Sequence, residues 1–210
     1  GQLRAVADIG SHWLDLAQFI SGASITEVMA DLHTFVSPRR HPPGPVETFA
    51  TSSGDEELVE DPMSSDDAAS IMVRFDDGAR GLVAVSQVSA GRKNSVSIEV
   101  DGSSAALSWF SENPDHLWVG HRLRPNEILQ RDPSLASPDA ARIIGYPGGH
   151  VEGYPDTFRA LFKEVYEDIA RGGPSEDPTY PTFADGHDVV LITEAIARSS
   201  QEERWITVQR

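Results

Sequence analysis

"ASIMVRFDDGARGLVAVSQVSA", residues 69–90, sets two apolar, β-branched runs on either side of an Asp-Gly step. Residues 77 and 78 form a two-residue connection that suits a type I′ turn, so the stretch reads as a β-hairpin. A hairpin joins antiparallel strands, and that choice steers the whole reading away from a βαβ array.

The pattern repeats downstream. "SVSIEV" alternates Val96, Ile98 and Val100 with polar residues, turns at Asp101 and Gly102, and continues as "AALSWF". "HLWVGH" and "NEILQR" form a further pair across a short Arg-Pro turn. Upstream, "SITEVMADLHTFV" (24–36) is rich in β-branched and apolar residues and reads as a strand. Before it, residues 9–20 carry Ile9, Trp13, Leu14, Leu16, Ala17, Phe19 and Ile20 at helical spacing, predicting an amphipathic helix buried over most of its circumference. Two helices close the chain. Phe158, Leu161, Phe162, Val165 and Ile169 lie on one face, with Pro155 near the start and Gly172 as a stop. Asp185 is expected to cap the second, which bears Val189, Ile192 and Ile196, and "RWITV" returns as a last strand. The expected fold class is α+β: an open, mostly antiparallel β-sheet with helices packed on one face.

Composition bounds the function. The 210 residues carry a net charge of −16, which argues against nucleic acid as a partner. The absence of cysteine excludes disulfides and thiol chemistry and fits a reducing, cytoplasmic setting. No stretch has the length of a membrane span. "GDEELVEDPMSSDD" (54–67) lies in a segment without Lys or Arg and is expected to be a solvated loop. The chain opens on Gly1 rather than Met, so it reads as a piece of something longer.

The first helix has an unusual polar side. Asp8, His12 and Asp15 recur at i, i+4 and i+7. A carboxylate one turn from an imidazole orients the ring and favours its charged form, which suits general acid/base work. The same residues also suit a plain helix start, with Asp8 as N-cap and the other two in solvent. A second cluster, Gly91, Arg92, Lys93 and Asn94, fits hydroxyl, carboxylate or phosphate binding, or a solvated hairpin turn. In a third, "YPGGHVEGYPDTF" (146–158), His150, Glu152 and Tyr154 stand just before a helix, as pocket residues or as a plain loop-to-helix entry. Trp13, Trp109, Trp118 and Trp205 are read as core or interface rather than a sugar-stacking row. No dinucleotide G-x-G-x-x-G, Walker A, G-x-S-x-G or H-E-x-x-H sequence occurs, and no metal site is expected.

"ADIGSHWLDLAQFISG" followed by "ITEVMA" closely resembles the start of the C-terminal domain of the Gfo/Idh/MocA oxidoreductases, the family of glucose-fructose oxidoreductase and inositol dehydrogenase. The resemblance runs through the hairpin sheet, "GGHVEGYPDTFRALF" and "YPTFADGHDVVLITEAI", so it covers essentially the whole chain in order. It implies residues 1–210 as one C-terminal substrate-binding and oligomerisation domain of the dihydrodipicolinate-reductase-like type. The N-terminal Rossmann domain, which binds NAD or NADP and carries a Lys in an E-K-P motif, is absent from this chain.

The resemblance maps the family's catalytic Asp and His onto Asp8 and His12. His12 is then the general acid/base for hydride transfer between NAD(P) and a sugar or polyol hydroxyl, with Asp8 assisting. Arg92, Lys93, His150, Glu152 and Tyr154 are expected substrate contacts, and Asp15 is expected to be structural. Ile9, Trp13, Leu16 and Ile20 are expected to anchor the first helix to the sheet. A homo-oligomer through the sheet face is also expected, and the isolated chain is expected to be inactive. Two other readings stay open: a non-catalytic dimerisation or ligand-binding module, and an NAD-dependent, redox-neutral glycosidase.

Overall fold

The computed structural model describes residues 3–45 and 58–210. The fold is α+β, and every strand pair among the described residues is antiparallel. The chain divides into two compact units: Gly1–Ala90 with Phe183–Arg210, and Gly91–Thr182.

In the first unit a π-helical turn, Val6–Gly10, runs into helix α1, Ser11–Ser21. Then come β1 (Ile25–His33), the short ribbon β2 (Arg39–His41) and β3 (Val59–Asp61), and the hairpin β4 (Ala68–Phe75) and β5 (Arg80–Ser86). The four-stranded sheet has the order β10-β1-β4-β5, where β10, Ile206–Thr207, is the chain's last strand. Alternation decides which side is covered. Ala69, Ile71, Val73 and Phe75 of β4 and Val83 and Val85 of β5 are buried, while Met72 and Leu82 on the opposite face are 41% and 79% exposed. Leu14 of α1, Ile25 and Val28 of β1, Ile192 and Ile196 of a long helix described below, and Ile206 are fully buried. Each such side chain contributes about 1.5–3 kcal/mol.

Because β10 pairs only at Glu27 and Val28, the rest of β1 needs other partners along that edge. Hydroxyls from the same long helix supply them: Ser199 Oγ accepts from Ala30 N at 3.0 Å and Ser200 Oγ from Leu32 N at 3.2 Å.

The second unit holds a meander, β6 (Ser97–Asp101), β7 (Ala105–Phe110), β8 (His116–His121) and β9 (Glu127–Gln130), in the order β6-β7-β8-β9. A short helix α2 (Pro138–Ile143) and α3 (Tyr154–Arg171) follow, and the chain returns to the first unit as the long helix α4 (Phe183–Glu202).

Four local expectations are corrected. The β4–β5 turn is not type I′, which needs positive φ at both central residues. Gly78 N donates to Phe75 O at 3.2 Å, so Asp76 and Asp77 are central; only Gly78 is left-handed, at φ 94°. In α1 the buried residues are Leu14 and Ala17, while Ile9 and Ile20 are exposed and Phe19 is 80% exposed. The wider π-turn carries Ile9 off the line that a regular helix would give it. Helix α4 begins at Phe183, which puts Asp185 in the first turn instead of at the cap. Along α3, Phe158, Phe162 and Ile169 are exposed, and the buried residue is Asp168.

The acidic stretch departs furthest from expectation. Residues 54–57 lie outside the described residues, but Asp66 and Asp67 at its end are only 3% and 0% exposed. Asp66 accepts from Arg4 N at 2.6 Å and Val6 N at 2.8 Å, holding the entry to the π-turn. Asp67 accepts from Phe35 N at 2.8 Å and Val36 N at 2.7 Å, and it pairs with Arg4 and Arg39. These two carboxylates tie three distant segments together, so they are a buried polar core.

Candidate functional site

On the first unit the polar stripe begins on the π-turn. Asp8 and His12 are both exposed, and Asp15 is half-buried. Asp8 Oδ2 accepts from Gln87 Nε2 at 2.7 Å. Gln87 sits one residue past β5, and its backbone N donates to Asp67 O at 2.9 Å. Thus the buried Asp67 positions the residue that holds Asp8. The His12 imidazole has no hydrogen-bond partner among the described residues. Burial pushes the Asp15 carboxyl above its ordinary value, the neighbouring Asp185 adds to this, and His12 opposes it. Asp15 is therefore electrostatically linked to His12 from the turn beyond.

An open cavity of about 450 Å³ lies on the same unit, lined by Arg4, Val36, Pro38, Arg39, Arg40, Gln87 and Val88. Its guanidinium groups are already partnered. Arg4 and Arg39 share Asp67 Oδ1, and Arg40 Nε donates to Glu60 Oε1 at 2.7 Å. Among the described residues, two side-chain atoms of its lining residues are sealed from solvent and have no hydrogen-bond partner, Arg39 Nε and Gln87 Oε1. Sequence reasoning passed over Arg4, Arg39, Asp66, Asp67 and Gln87. Asp66, Asp67 and Gln87 flank strands while Arg4 and Arg39 do not, so no shared local pattern marks the set.

On the second unit Arg92 and Lys93 are exposed beyond Gly91, and Arg92 Nη1 lies 3.5 Å from Glu112 Oε2. The 146–158 segment is organised by Arg131. Its Nε donates to Asp115 Oδ1 at 2.8 Å, its Nη1 donates to Tyr146 O at 2.9 Å, and its Nη2 donates to His150 O. Glu152 belongs to this network: Oε1 accepts from Gly145 N at 2.8 Å and Arg159 Nη2 at 2.7 Å, and Oε2 lies 3.0 Å from Arg131 Nη1. Burial is the largest influence on the Asp115 carboxyl and pushes it up. The hydrogen bond from Arg131, helped by Glu152 N and nearby positive charge, outweighs it and holds the group low. His150 is exposed, and Tyr154 is exposed with its ring edge-on to Phe158 at 5.2 Å. Of the three residues in this segment, Glu152 is engaged internally, while the His150 and Tyr154 side chains face solvent.

The family model for the GFO/IDH/MocA C-terminal domain matches residues 3–108, which contain the whole Asp8–His12–Gln87 arrangement. The chain belongs to this family. A levoglucosan dehydrogenase from Pseudarthrobacter phenanthrenivorans is 29% identical to this Gfo/Idh/MocA chain over 209 residues, covering 97% of the chain and 51% of the relative. An oxidoreductase from Sinorhizobium meliloti superposes with a TM-score of 0.78 at 31% identity, over 96% of this chain and 51% of that one. A levoglucosan dehydrogenase in complex with NADH and levoglucosan gives a TM-score of 0.80 at 26% identity, over 99% and 51%. The Gfo/Idh/MocA chain therefore spans about half the length of the relatives it matches.

Proposed function

We propose that this chain is the substrate-binding and catalytic half of an oxidoreductase that moves hydride between a nicotinamide dinucleotide and a hydroxyl-bearing carbon of a sugar or polyol. The observation that carries the reading is the His12 imidazole, exposed and without a hydrogen-bond partner among the described residues, one turn from an Asp8 carboxylate fixed by Gln87. A ring so placed is free to take the proton of an incoming hydroxyl. In the reverse direction the imidazolium returns the proton. The relatives named for levoglucosan, one of them in complex with NADH, support a sugar or sugar-like substrate and NAD as the dinucleotide.

The described residues form antiparallel ladders only, and the sequence has no G-x-G-x-x-G, so they do not fit a dinucleotide site. The dinucleotide is assigned to a separate N-terminal half, which supplies the hydride acceptor. This chain supplies proton transfer and substrate contacts. On the second unit the exposed Arg92, Lys93, His150 and Tyr154 are proposed as ligand contacts, with Glu152 holding the loop that presents two of them. The bare sheet face at Met72 and Leu82 supports a homo-oligomer. Among the described residues no helix is long and apolar enough to cross a membrane. The cysteine-free composition fits a cytoplasmic enzyme.

The test is NADH formation by the intact protein on a polyol panel that includes levoglucosan. His12→Ala is expected to lower turnover by about 10²-fold or more while the fold is kept. Wild-type turnover in that variant rejects the reading.

A further inference from the structure

Residues 145–153, "GYPGGHVEG", form a loop closed on itself. Glu152 Oε1 accepts from Gly145 N at 2.8 Å across its neck, and His150 N donates to Pro147 O at 3.3 Å within it. Gly149 turns the chain at φ 83°, a conformation that residues with side chains rarely adopt. Compact surface loops whose ends meet are frequent carriers of function.

One guanidinium grips this loop from outside. Arg131, one residue past β9, sends Nη1 to Tyr146 O at 2.9 Å and Nη2 to His150 O, so its fork spans two carbonyls four residues apart. Its Nε is anchored on Asp115 Oδ1 at 2.8 Å. The side chains of Arg131, Asp115 and Glu152 are only 15%, 10% and 11% exposed. Arg131 and Arg159 are matched by Asp115, Glu152 and Asp156, which leaves the guanidinium no spare charge for a ligand. On the outer side of the loop the His150 imidazole is exposed and has no hydrogen-bond partner among the described residues, and Tyr154 is exposed beside it in sequence.

We propose that Arg131 is a positioning residue for substrate binding: it touches no ligand, and by fixing the carbonyls of Tyr146 and His150 it holds the His150 imidazole and the Tyr154 ring in place before a ligand arrives. The inference rests on the reading of His150 and Tyr154 as ligand contacts. A loop that is already ordered loses little freedom on binding, so the effect falls on substrate affinity and leaves proton transfer alone. The role requires a planar fork. A lysine ammonium keeps the charge opposite Asp115 and Glu152 but cannot bridge both carbonyls.

The test is steady-state kinetics of the intact protein with NAD and levoglucosan, beside amide hydrogen exchange. Arg131→Lys is expected to raise KM by about tenfold with kcat within about twofold, and to speed exchange at residues 145–153 while the rest of the chain exchanges as wild type. In a His150→Ala/Tyr154→Ala background the same replacement is expected to add less than about twofold, because nothing is left for it to position. Arg131→Met strands two buried carboxylates and is expected to lower the thermal melt as well, whereas Arg131→Lys recovers the melt without recovering KM. Four results each overturn the proposal: unchanged exchange in Arg131→Lys, a wild-type KM, a fall in kcat as large as the rise in KM, or an undiminished effect in the double-variant background. The underlying reading fails separately. If the wild type forms no NADH, the dehydrogenase is sunk, and the affinity arm passes to calorimetric titration with levoglucosan in the presence of NADH. There, equal binding by wild type and Arg131→Lys, or no binding by wild type, overturns the positioning role.

Discussion

Arg4 Nη1 lies 2.8 Å from Asp67 Oδ1, joining positions 63 residues apart in the chain through a carboxylate that has no exposed surface. Asp67 also holds Arg39 and two backbone N–H groups, so every lone pair it buries has a use. Replacing one partner of a buried ion pair leaves the others desolvated and unmatched. Asp67→Ala is expected to destabilise the chain by about 3–5 kcal/mol, because two guanidinium groups lose their counter-charge. Chemical denaturation followed by circular dichroism measures it. A loss within about 0.5 kcal/mol, the range of an ordinary surface substitution, contradicts the role given to Asp67.

Helix α1 separates burial from hydrophobicity. Leu14 is fully buried and Phe19 is not, although both lie in the same amphipathic segment. Leu14→Ala removes core atoms and leaves a void, so it is expected to cost about 2–5 kcal/mol. Phe19→Ala is expected to change the stability of the isolated chain by about 0.5 kcal/mol or less. Urea midpoints of the two variants check the contrast, which fails if the larger loss belongs to Phe19.

Asp168 near the end of α3 gives a pH dependence. A hydrogen bond from Tyr180 is the main influence holding its carboxyl below 3.8, with Ser175 N and Arg171 adding to it and burial opposing. A depressed folded value means that the unfolded chain binds the proton more readily. The stabilisation is thus fully present above the unfolded value and is lost as pH falls through the lowered folded one, below about pH 4. Asp168→Asn is expected to lower stability at neutral pH and to flatten its fall across that acid window. Thermal melts from pH 3 to pH 7 test this, and parallel curves for variant and wild type count against it.

The uncovered face of the first sheet predicts self-association. Leu82 and Met72 stand exposed on it as cross-strand partners, and apolar side chains on an uncovered sheet face favour a partner of the same kind. Leu82→Asp is expected to shift the chain toward monomer in sedimentation velocity, with its secondary structure kept. A wild-type chain that sediments as monomer at high concentration removes the sheet face as an interface.

What the sequence by itself determined was what local chemistry controls. The strands β4 and β5 and β6 and β7, the places where they turn and the stop at Gly172 follow from backbone preference and period, and they were legible without any contact map. So was the family, from Asp8, His12 and the helix around them. Burial of α1 was only half legible: the apolar residues were visible, but the π-turn that selects Leu14 and Ala17 is held by Asp66, some 60 residues away. The acidic stretch misled for the same reason. Asp66 and Asp67 have the composition of a solvated loop, and only the convergence of Arg4, Phe35, Val36 and Arg39 makes them a buried core. Gln87 carries no pattern at all. Its hold on Asp8 exists only because β5 ends beside the first helix, and partners so distant in sequence are chosen by packing, on which residue spacing is silent.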